Sequence, residues 1–147
     1  MSYTTPFVVE TPSGPELIVN SSERVDAYDP RSGAFLWHVG GSNQFPIPAP
    51  TFHDGVLYLR VEAIFSASPV AGDGKIYFVS ETGETIVVKA GRQPEVLARN
   101  DLGERLIASP AISNGQLFIR SDGQLFAIGK PTHQLSFRIS SAANAGK

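Results

Sequence analysis

Three histidines, His38, His53 and His133, are the side chains of this sequence best suited to bind a metal or transfer a proton near neutral pH. None of them lies within four residues of another, so the sequence contains no local pair with metal-ligand spacing. His53 opens the segment His53-Asp54-Gly55, whose composition is typical of a turn. The sequence therefore predicts no metal site and no catalytic histidine.

Nucleophilic chemistry has no better support. The sequence contains no cysteine, which excludes disulfides, thiolate metal sites and a cysteine nucleophile. Serines are numerous, but the Gly-x-Ser-x-Gly elbow that exposes a nucleophilic serine is absent. Ser68 and Ser109 each precede a proline in equivalent phrases, and this recurrence favours a structural role in capping the start of a strand.

Acidic residues lack the spacing that calcium or glycosidic chemistry requires. Five aspartates fall mainly in predicted turns: Asp26, Asp29, Asp54, Asp73 and Asp122. The sequence has no alternating Asp-x-Asp-x-Asp run, so calcium binding at Asp73-Gly74 or Asp122-Gly123 is disfavoured. Glu81, Glu84 and Glu104 are candidates for a carboxylate pair acting on a glycoside, but solvated loop charges are the favoured interpretation.

The composition and the local patterns of the sequence argue against several kinds of binding partner. The net charge of −2 and the absence of a basic cluster disfavour nucleic acid. Gly40-Gly41-Ser42-Asn43 opens no helix and is expected to connect two structural units, so no phosphate loop is predicted. No apolar run approaches the ~20 residues that span a bilayer. The N-terminus lacks the features of a signal peptide, which fits either a cytoplasmic protein or a start that follows a removed leader; the second is favoured.

The strongest feature of the sequence is a repeated phrase: a small residue, a proline, a short apolar stretch, a glycine turn and a β-rich run. Its four copies begin at Pro6, Pro50, Pro69 and Pro110, and the last three turns contain Gly55, Gly74 and Gly115. Asp-Gly and Asn-Gly favour type I′ hairpins, because both central residues of that turn need positive φ. Each copy therefore predicts a β-hairpin.

Two copies continue into a second hairpin, as in residues 24–39, where Asp29-Pro30-Arg31-Ser32-Gly33 forms the turn and Gly33 takes left-handed geometry. One complete unit thus contains four short strands. Pro6 and Pro50 are 44 residues apart, and Pro69 and Pro110 are 41 apart, the period of a four-stranded propeller blade. Pro50 and Pro69 are only 19 apart, which predicts a blade without its outer half, shortened near Leu59 and Arg60; an irregular loop is the alternative.

Two segments resemble the two halves of the pyrroloquinoline-quinone-like (PQQ-like) propeller repeat. One half is matched by Val25-Asp26-Ala27-Tyr28-Asp29-Pro30-Arg31-Ser32-Gly33-Ala34-Phe35-Leu36-Trp37, and the other half is matched by residues 68–80. The resemblance, which extends to BamB-like assembly factors, covers about residues 4–130. It implies an all-β protein of antiparallel four-stranded blades, with Trp37 docked between neighbouring blades and a periplasmic or secreted parent. The sequence keeps no cysteine pair and no second tryptophan to hold the quinone, so no cofactor is expected.

The expected domain is a propeller over residues 1–139, with blades at about 4–48, 49–66 (truncated), 67–107 and 108–139, and a flexible tail at 140–147. These units fall short of a closed ring, so a homo-oligomer such as a homodimer is expected to complete it; the competing explanation is a fragment that folds only within a longer parent. The predicted function is a non-enzymatic scaffold that binds a protein or peptide. The alternatives are an accessory domain of a secreted carbohydrate-active or quinoprotein-like enzyme, and a shortened propeller without a ligand.

Overall fold

The computed structural model describes residues 4–41, 47–59 and 64–129. Within these ranges the chain forms β-strands and no helix. The strands, in chain order, are β1 (Phe7–Thr11), β2 (Gly14–Ser21), β3 (Arg24–Tyr28), β4 (Phe35–Gly40), β5 (Thr51–His53), β6 (Val56–Tyr58), β7 (Val70–Gly72), β8 (Lys75–Val79), β9 (Glu84–Lys89), β10 (Val96–Asp101), β11 (Ala111–Ser113), β12 (Gln116–Arg120) and β13 (Leu125–Gly129).

These strands form four antiparallel sheets in which each strand pairs with its neighbour in sequence. Sheet 1 contains β1 to β4, sheet 2 contains β5 and β6, sheet 3 contains β7 to β10, and sheet 4 contains β11 to β13. The predicted fold class, all-β with antiparallel four-stranded units, is therefore confirmed. Sheet 2 has two strands, and the described part of sheet 4 has three, because residues 130–139 of the predicted fourth unit lie outside the described residues.

The first hairpins of sheets 2, 3 and 4 have the backbone geometry that their turn residues predict. Asp73 and Gly74, between β7 and β8, have φ values of 51° and 64°. In the turns at residues 54–55 and 114–115, both residues also have positive φ values. Two consecutive positive φ values define the type I′ turn, whose twist matches that of the flanking strands. The sequence of each turn thus sets the register of its hairpin.

Three apolar clusters join consecutive sheets face to face. The first joins sheets 1 and 2 through Val9, Ile18, Val25 and Ala27, against which Phe52, Leu57 and Leu59 pack. The second joins sheets 2 and 3 through Tyr58, Phe65, Ile76, Phe78 and Ile86. The third joins sheets 3 and 4 through Ala67, Val79, Leu106 and Ile119. None of the clusters joins sheet 1 to sheet 4, so the described residues form an open row of sheets without ring closure.

Hydroxyl groups link the innermost strands of this row. The backbone N–H of Ala49 donates to Ser68 Oγ at 3.0 Å, and the N–H of Ser68 donates to Ser109 Oγ at 2.9 Å. Each serine side chain therefore accepts a hydrogen bond from the preceding unit, whereas the sequence suggested that it caps its own strand. The repeated small residue before each proline positions neighbouring sheets relative to one another.

Candidate binding surfaces

The outermost strand of sheet 1, β4, is exposed along its whole length although most of its residues are large and apolar. The exposed fractions of Phe35, Leu36, Trp37 and Val39 lie between 37% and 53%. Contiguous exposed apolar residues on a soluble domain commonly mark an interaction site.

Trp37 and Val39 lie on the face of sheet 1 that packs on sheet 2, whose described part has two strands. In the register of sheet 1, Ala27 lies opposite Trp37 and Val25 lies opposite Val39. Paired residues share a sheet face, so Trp37 and Val39 extend the face on which Val25 and Ala27 are buried against sheet 2. Among residues 47–59 and 64–129, no third or fourth strand extends sheet 2 toward them. Trp37 is 37% exposed and is not enclosed between two blades, contrary to the expectation from the PQQ-like repeat.

Two strand edges border the space left by the missing strands. Within the part of the chain that the structure describes, β4 pairs with β3 alone and β6 pairs with β5 alone. Each strand therefore presents backbone N–H and C=O groups along one side, and such an edge can pair with another chain. We call this space, bordered by the edge of β6 and the face of β4 that carries Trp37 and Val39, the half-blade slot.

A polar contact fixes the indole ring at the outer end of the slot. Trp37 Nε1–H donates to Glu16 Oε2 at 2.7 Å. Both side chains line a cavity of about 440 Å³, together with Asp29, Arg31 and Leu36. The indole is thus held in one orientation with an exposed apolar face, which is a suitable anchor for an apolar side chain of a partner.

The two ends of the row of sheets present a second pair of open faces. On sheet 1, the face opposite the core carries Val8, Leu17, Val19, Asp26 and Tyr28; we call it the leading face. Val8 on this face and Phe35, which packs edge-to-face on Tyr28, are each 52% exposed. On sheet 4, the face turned away from sheet 3 carries Ala111, Phe118, Arg120, Leu125 and Ala127; we call it the trailing face. Leu125 is 69% exposed.

Asp26 is the least expected residue of the leading face. Unlike the turn aspartates, it lies inside β3, and it is only 3% exposed. One of its carboxylate oxygens accepts a hydrogen bond from the Ser21 hydroxyl. The other, Oδ1, forms an ion pair with Arg24 Nε at 2.9 Å.

The histidines are not brought together. His38 lies on β4, its ring 5.9 Å from that of Phe35, and His53 lies in sheet 2 with Nε2 3.4 Å from Asp54 Oδ2. His133 lies outside the described residues. Over residues 4–41, 47–59 and 64–129, no group of histidine and acidic side chains has the arrangement of a metal site. The same ranges contain no helix able to cross a bilayer.

The candidate glutamates serve as hydrogen-bond acceptors for neighbouring units. Glu81 accepts from the Ser66 hydroxyl, and Arg105 Nη2 donates to its other oxygen at 2.8 Å; these contacts lower the pKa of Glu81. Ser121 and Gln124 donate to Glu104 and lower its pKa in the same way. Glu84 pairs with Arg99 at 2.9 Å. The three glutamates therefore bond to different partners and are not brought together into a carboxylate pair.

The lowered pKa of Glu81 makes stability depend on pH. The carboxyl group of Glu81 binds a proton more weakly in the native state than in the unfolded state. Its contribution to the free energy of unfolding is therefore fully present above the ordinary glutamate pKa of about 4.3, and it is lost as the pH falls through the lowered pKa of the native state. We expect the free energy of unfolding to decrease between about pH 5 and pH 3, and Glu81→Gln to weaken that decrease. Urea titrations across this pH range measure it, with Glu95→Gln on an exposed turn as control. Equal slopes for the wild type and Glu81→Gln would contradict the assignment.

Comparison with known proteins identifies the relatives of this row of sheets. The family profile described as outer membrane protein assembly factor BamB matches residues 21–138. Among solved structures, the crystal structure of BamB from Moraxella catarrhalis is 18% identical, with a TM-score of 0.38. That alignment covers 72% of this chain and 26% of that chain, so this chain spans about a quarter of that structure's length. No curated protein matches the chain.

Proposed function

Because this chain belongs to the PQQ-like propeller family described as outer membrane protein assembly factor BamB, we propose that it is a non-enzymatic scaffold that binds other polypeptides. The family description names an assembly role, which requires protein partners. The exposed apolar strand β4 beside a half-sized sheet is the observation that carries the proposal for this chain.

The ligand that fits the half-blade slot is an extended polypeptide. The free edge of β6 or β4 supplies backbone hydrogen bonds to an added strand, and alternate side chains of that strand face Trp37 and Val39. The affinity then comes mainly from covering Trp37 and its apolar neighbours, because a few buried anchors dominate most interfaces.

The chain itself supplies a probe for this slot. Sheet 3 contains the outer strands that sheet 2 lacks, so a synthetic peptide of residues 82–101, which includes β9 and β10, represents the missing half-blade. Trp37 is the only tryptophan of the sequence, and its fluorescence reports directly on the slot. We expect the peptide to shift Trp37 emission to shorter wavelength with a saturable dependence on concentration.

Val39→Lys is expected to raise the dissociation constant of this peptide at least tenfold, since it places a charge on the apolar face beside Trp37; tenfold corresponds to about 1.4 kcal/mol. The matched control is Ile107→Lys, at a residue that is 42% exposed and lies in the connection between sheets 3 and 4. A peptide of scrambled sequence is the second control. An unchanged Trp37 spectrum, or equal affinity for Val39→Lys and wild type, would count against the slot.

The open end faces support a second element of the proposal, self-association. Apolar residues of the leading and trailing faces are exposed in a single chain, including Val8, Phe35 and Leu125. Packing one face on the other continues the stacking already present between consecutive sheets. A ring formed by two chains would remove both open ends.

A further inference from the structure

We propose that the half-blade slot has a second wall on sheet 3, and that its ligand is a β-hairpin of a partner protein with apolar side chains on both faces. The first wall is the face of β4 that carries Trp37 and Val39. The second wall is the face of β9 and β10 that carries Val88 and Val96. This inference rests on the proposed function of the slot and deepens it, because it assigns the form of the partner.

The register of sheet 3 places the second wall. Ile76 and Ile86 are buried in the cluster that joins sheet 3 to sheet 2, and Val88 packs against that cluster. Ile76 lies opposite Val88, and Val88 lies opposite Val96. Paired residues share a sheet face, so Val96 extends the face that sheet 3 turns toward sheet 2. β9 and β10 therefore border the slot from the side opposite β4.

Burial on the two walls stops at the same depth. On the third strands of their sheets, Val25 is 2% exposed and Ile86 is 1% exposed. On the fourth strands, Val39 is 53% exposed and Val96 is 51% exposed. The two strands of sheet 2 thus cover both neighbouring sheets as far as their third strands, and the fourth strands face the slot.

Both walls continue interfaces that are already present within the chain. Leu57 of sheet 2 packs on the cluster shared with sheet 1, and Tyr58 belongs to the cluster shared with sheet 3. The Tyr58 hydroxyl also accepts a hydrogen bond from the backbone N–H of Gly91, just beyond β9. Successive residues of β6 therefore serve opposite faces, as the pleat of a strand requires. A partner that extends sheet 2 needs the same pattern, with apolar side chains on both faces.

The depth of the walls requires two added strands. A strand paired with β6 takes the third position of sheet 2, level with β3 and β9, whose residues on these faces are already buried. Trp37 and Val96 lie on fourth strands, so a further strand is needed to cover them. Two antiparallel strands joined by a tight turn supply both, and this is a β-hairpin.

Leu57 offers the backbone groups that would hold the first added strand. His53 pairs with Val56 across a two-residue turn, and Phe52 pairs with Leu57. The pair beside such a turn is hydrogen-bonded, and bonded and non-bonded pairs alternate along an antiparallel ladder. The N–H and C=O of Leu57 therefore point away from β5. A strand can bond them, whereas a helix has its own backbone groups bonded internally.

Two peptides added to the full chain test the form of the partner. The peptide of residues 82–101 contains β9, β10 and their turn, and the peptide of residues 82–91 contains β9 alone. We expect the longer peptide to shift the Trp37 emission, and the shorter peptide to need at least about tenfold higher concentration, since it cannot reach the fourth strands. Equal responses overturn the hairpin and leave an extended strand as the ligand.

Val96→Lys tests the second wall. Val96 is exposed, so the variant is expected to fold, as circular dichroism checks. We expect it to raise the dissociation constant of the peptide of residues 82–101 at least about tenfold, as Val39→Lys does on the first wall. The matched control is Asn100→Lys, which adds the same charge to an exposed position of β10. Asn100 pairs with Thr85 on the opposite face of sheet 3, so this variant should bind normally.

The variants distinguish failure of this inference from failure of the proposed function. If Val39→Lys weakens binding and Val96→Lys does not, the second wall is overturned and the slot on sheet 1 stands. If the peptide does not bind, or neither variant weakens it, both are overturned.

Hydrogen exchange at the Leu57 amide distinguishes a hairpin from other ligands of the slot. At least about tenfold slower exchange with the peptide of residues 82–101 supports the proposal. A Trp37 response without protection of Leu57 overturns it, because the bound chain then does not extend sheet 2. Protection of Leu57 without peptide also overturns it. Such protection would mean a second copy if it depends on protein concentration, and residues of the same chain if it does not.

Discussion

Replacing Leu106 by alanine is expected to lower the free energy of unfolding by about 3 kcal/mol, within the range for large-to-small substitutions in a packed core. Leu106 has no exposed surface and lies in the cluster that joins sheets 3 and 4. It comes from the connection between those sheets, so its side chain packs on both. Its truncation leaves a cavity at the junction and weakens the contact that holds sheet 4 in the row.

The adjacent residue provides a matched control for this prediction. Ile107 is 42% exposed, and Ile107→Ala is expected to change the free energy of unfolding by no more than about 0.5 kcal/mol. Urea unfolding followed by circular dichroism measures both variants. Equal losses for the two substitutions would show that the connection is not packed as described.

Gly83→Ala is expected to destabilise the chain by about 3 kcal/mol, as the sum of backbone strain and a steric clash. Gly83 lies in the turn between β8 and β9 with φ of 98°, a value that side chains other than glycine rarely adopt. A Cβ at this position would lie 2.8 Å from the backbone oxygen of Glu104 and 3.0 Å from Asp101 Oδ1. The backbone atom cannot move aside without displacing the connection to sheet 4.

Gly33→Ala separates the two contributions. Gly33 has φ of 72°, and a Cβ there would meet nothing within 4 Å. The Gly33→Ala variant should be destabilised only by the cost of the left-handed conformation, about 1 kcal/mol. Thermal or urea unfolding of both variants measures the difference. If Gly33→Ala were as destabilising as Gly83→Ala, the close approach of Gly83 to Glu104 would be wrong.

The turns and the four-stranded units could be predicted because their signals are local. Asp73-Gly74 selects a type I′ turn whatever surrounds it, and the alternation of Ile76 and Phe78 with polar or smaller neighbours marks a half-buried strand. The 19-residue interval between Pro50 and Pro69 has room for one hairpin, and its described residues form the two strands of sheet 2; that this unit is a truncated blade stays a prediction.

The binding surfaces could not be predicted, because they depend on which sheet lies opposite which strand. The PQQ-like repeat predicts Trp37 between two blades, whereas its exposure of 37% depends on which sheet lies opposite β4. The alternation of residues 24–28 predicts a strand that contains Asp26, but aspartate is rarely buried in a strand, so its burial is not expected. Its position between Val25 and Ala27, both apolar, was the available signal, but burial of its carboxylate depends on Ser21 and Arg24.

Amide hydrogen exchange of the full chain, with and without the peptide of residues 82–101, tests the central claim most directly. This claim is that the half-blade slot accepts an added strand. It predicts at least tenfold slower exchange for amides of β4 or β6 that point away from their present partners, β3 and β5, because an added strand would bond them. Protection confined to the hairpin turns, or no protection in Phe35–Gly40 and Val56–Tyr58 at saturating peptide, would contradict the claim.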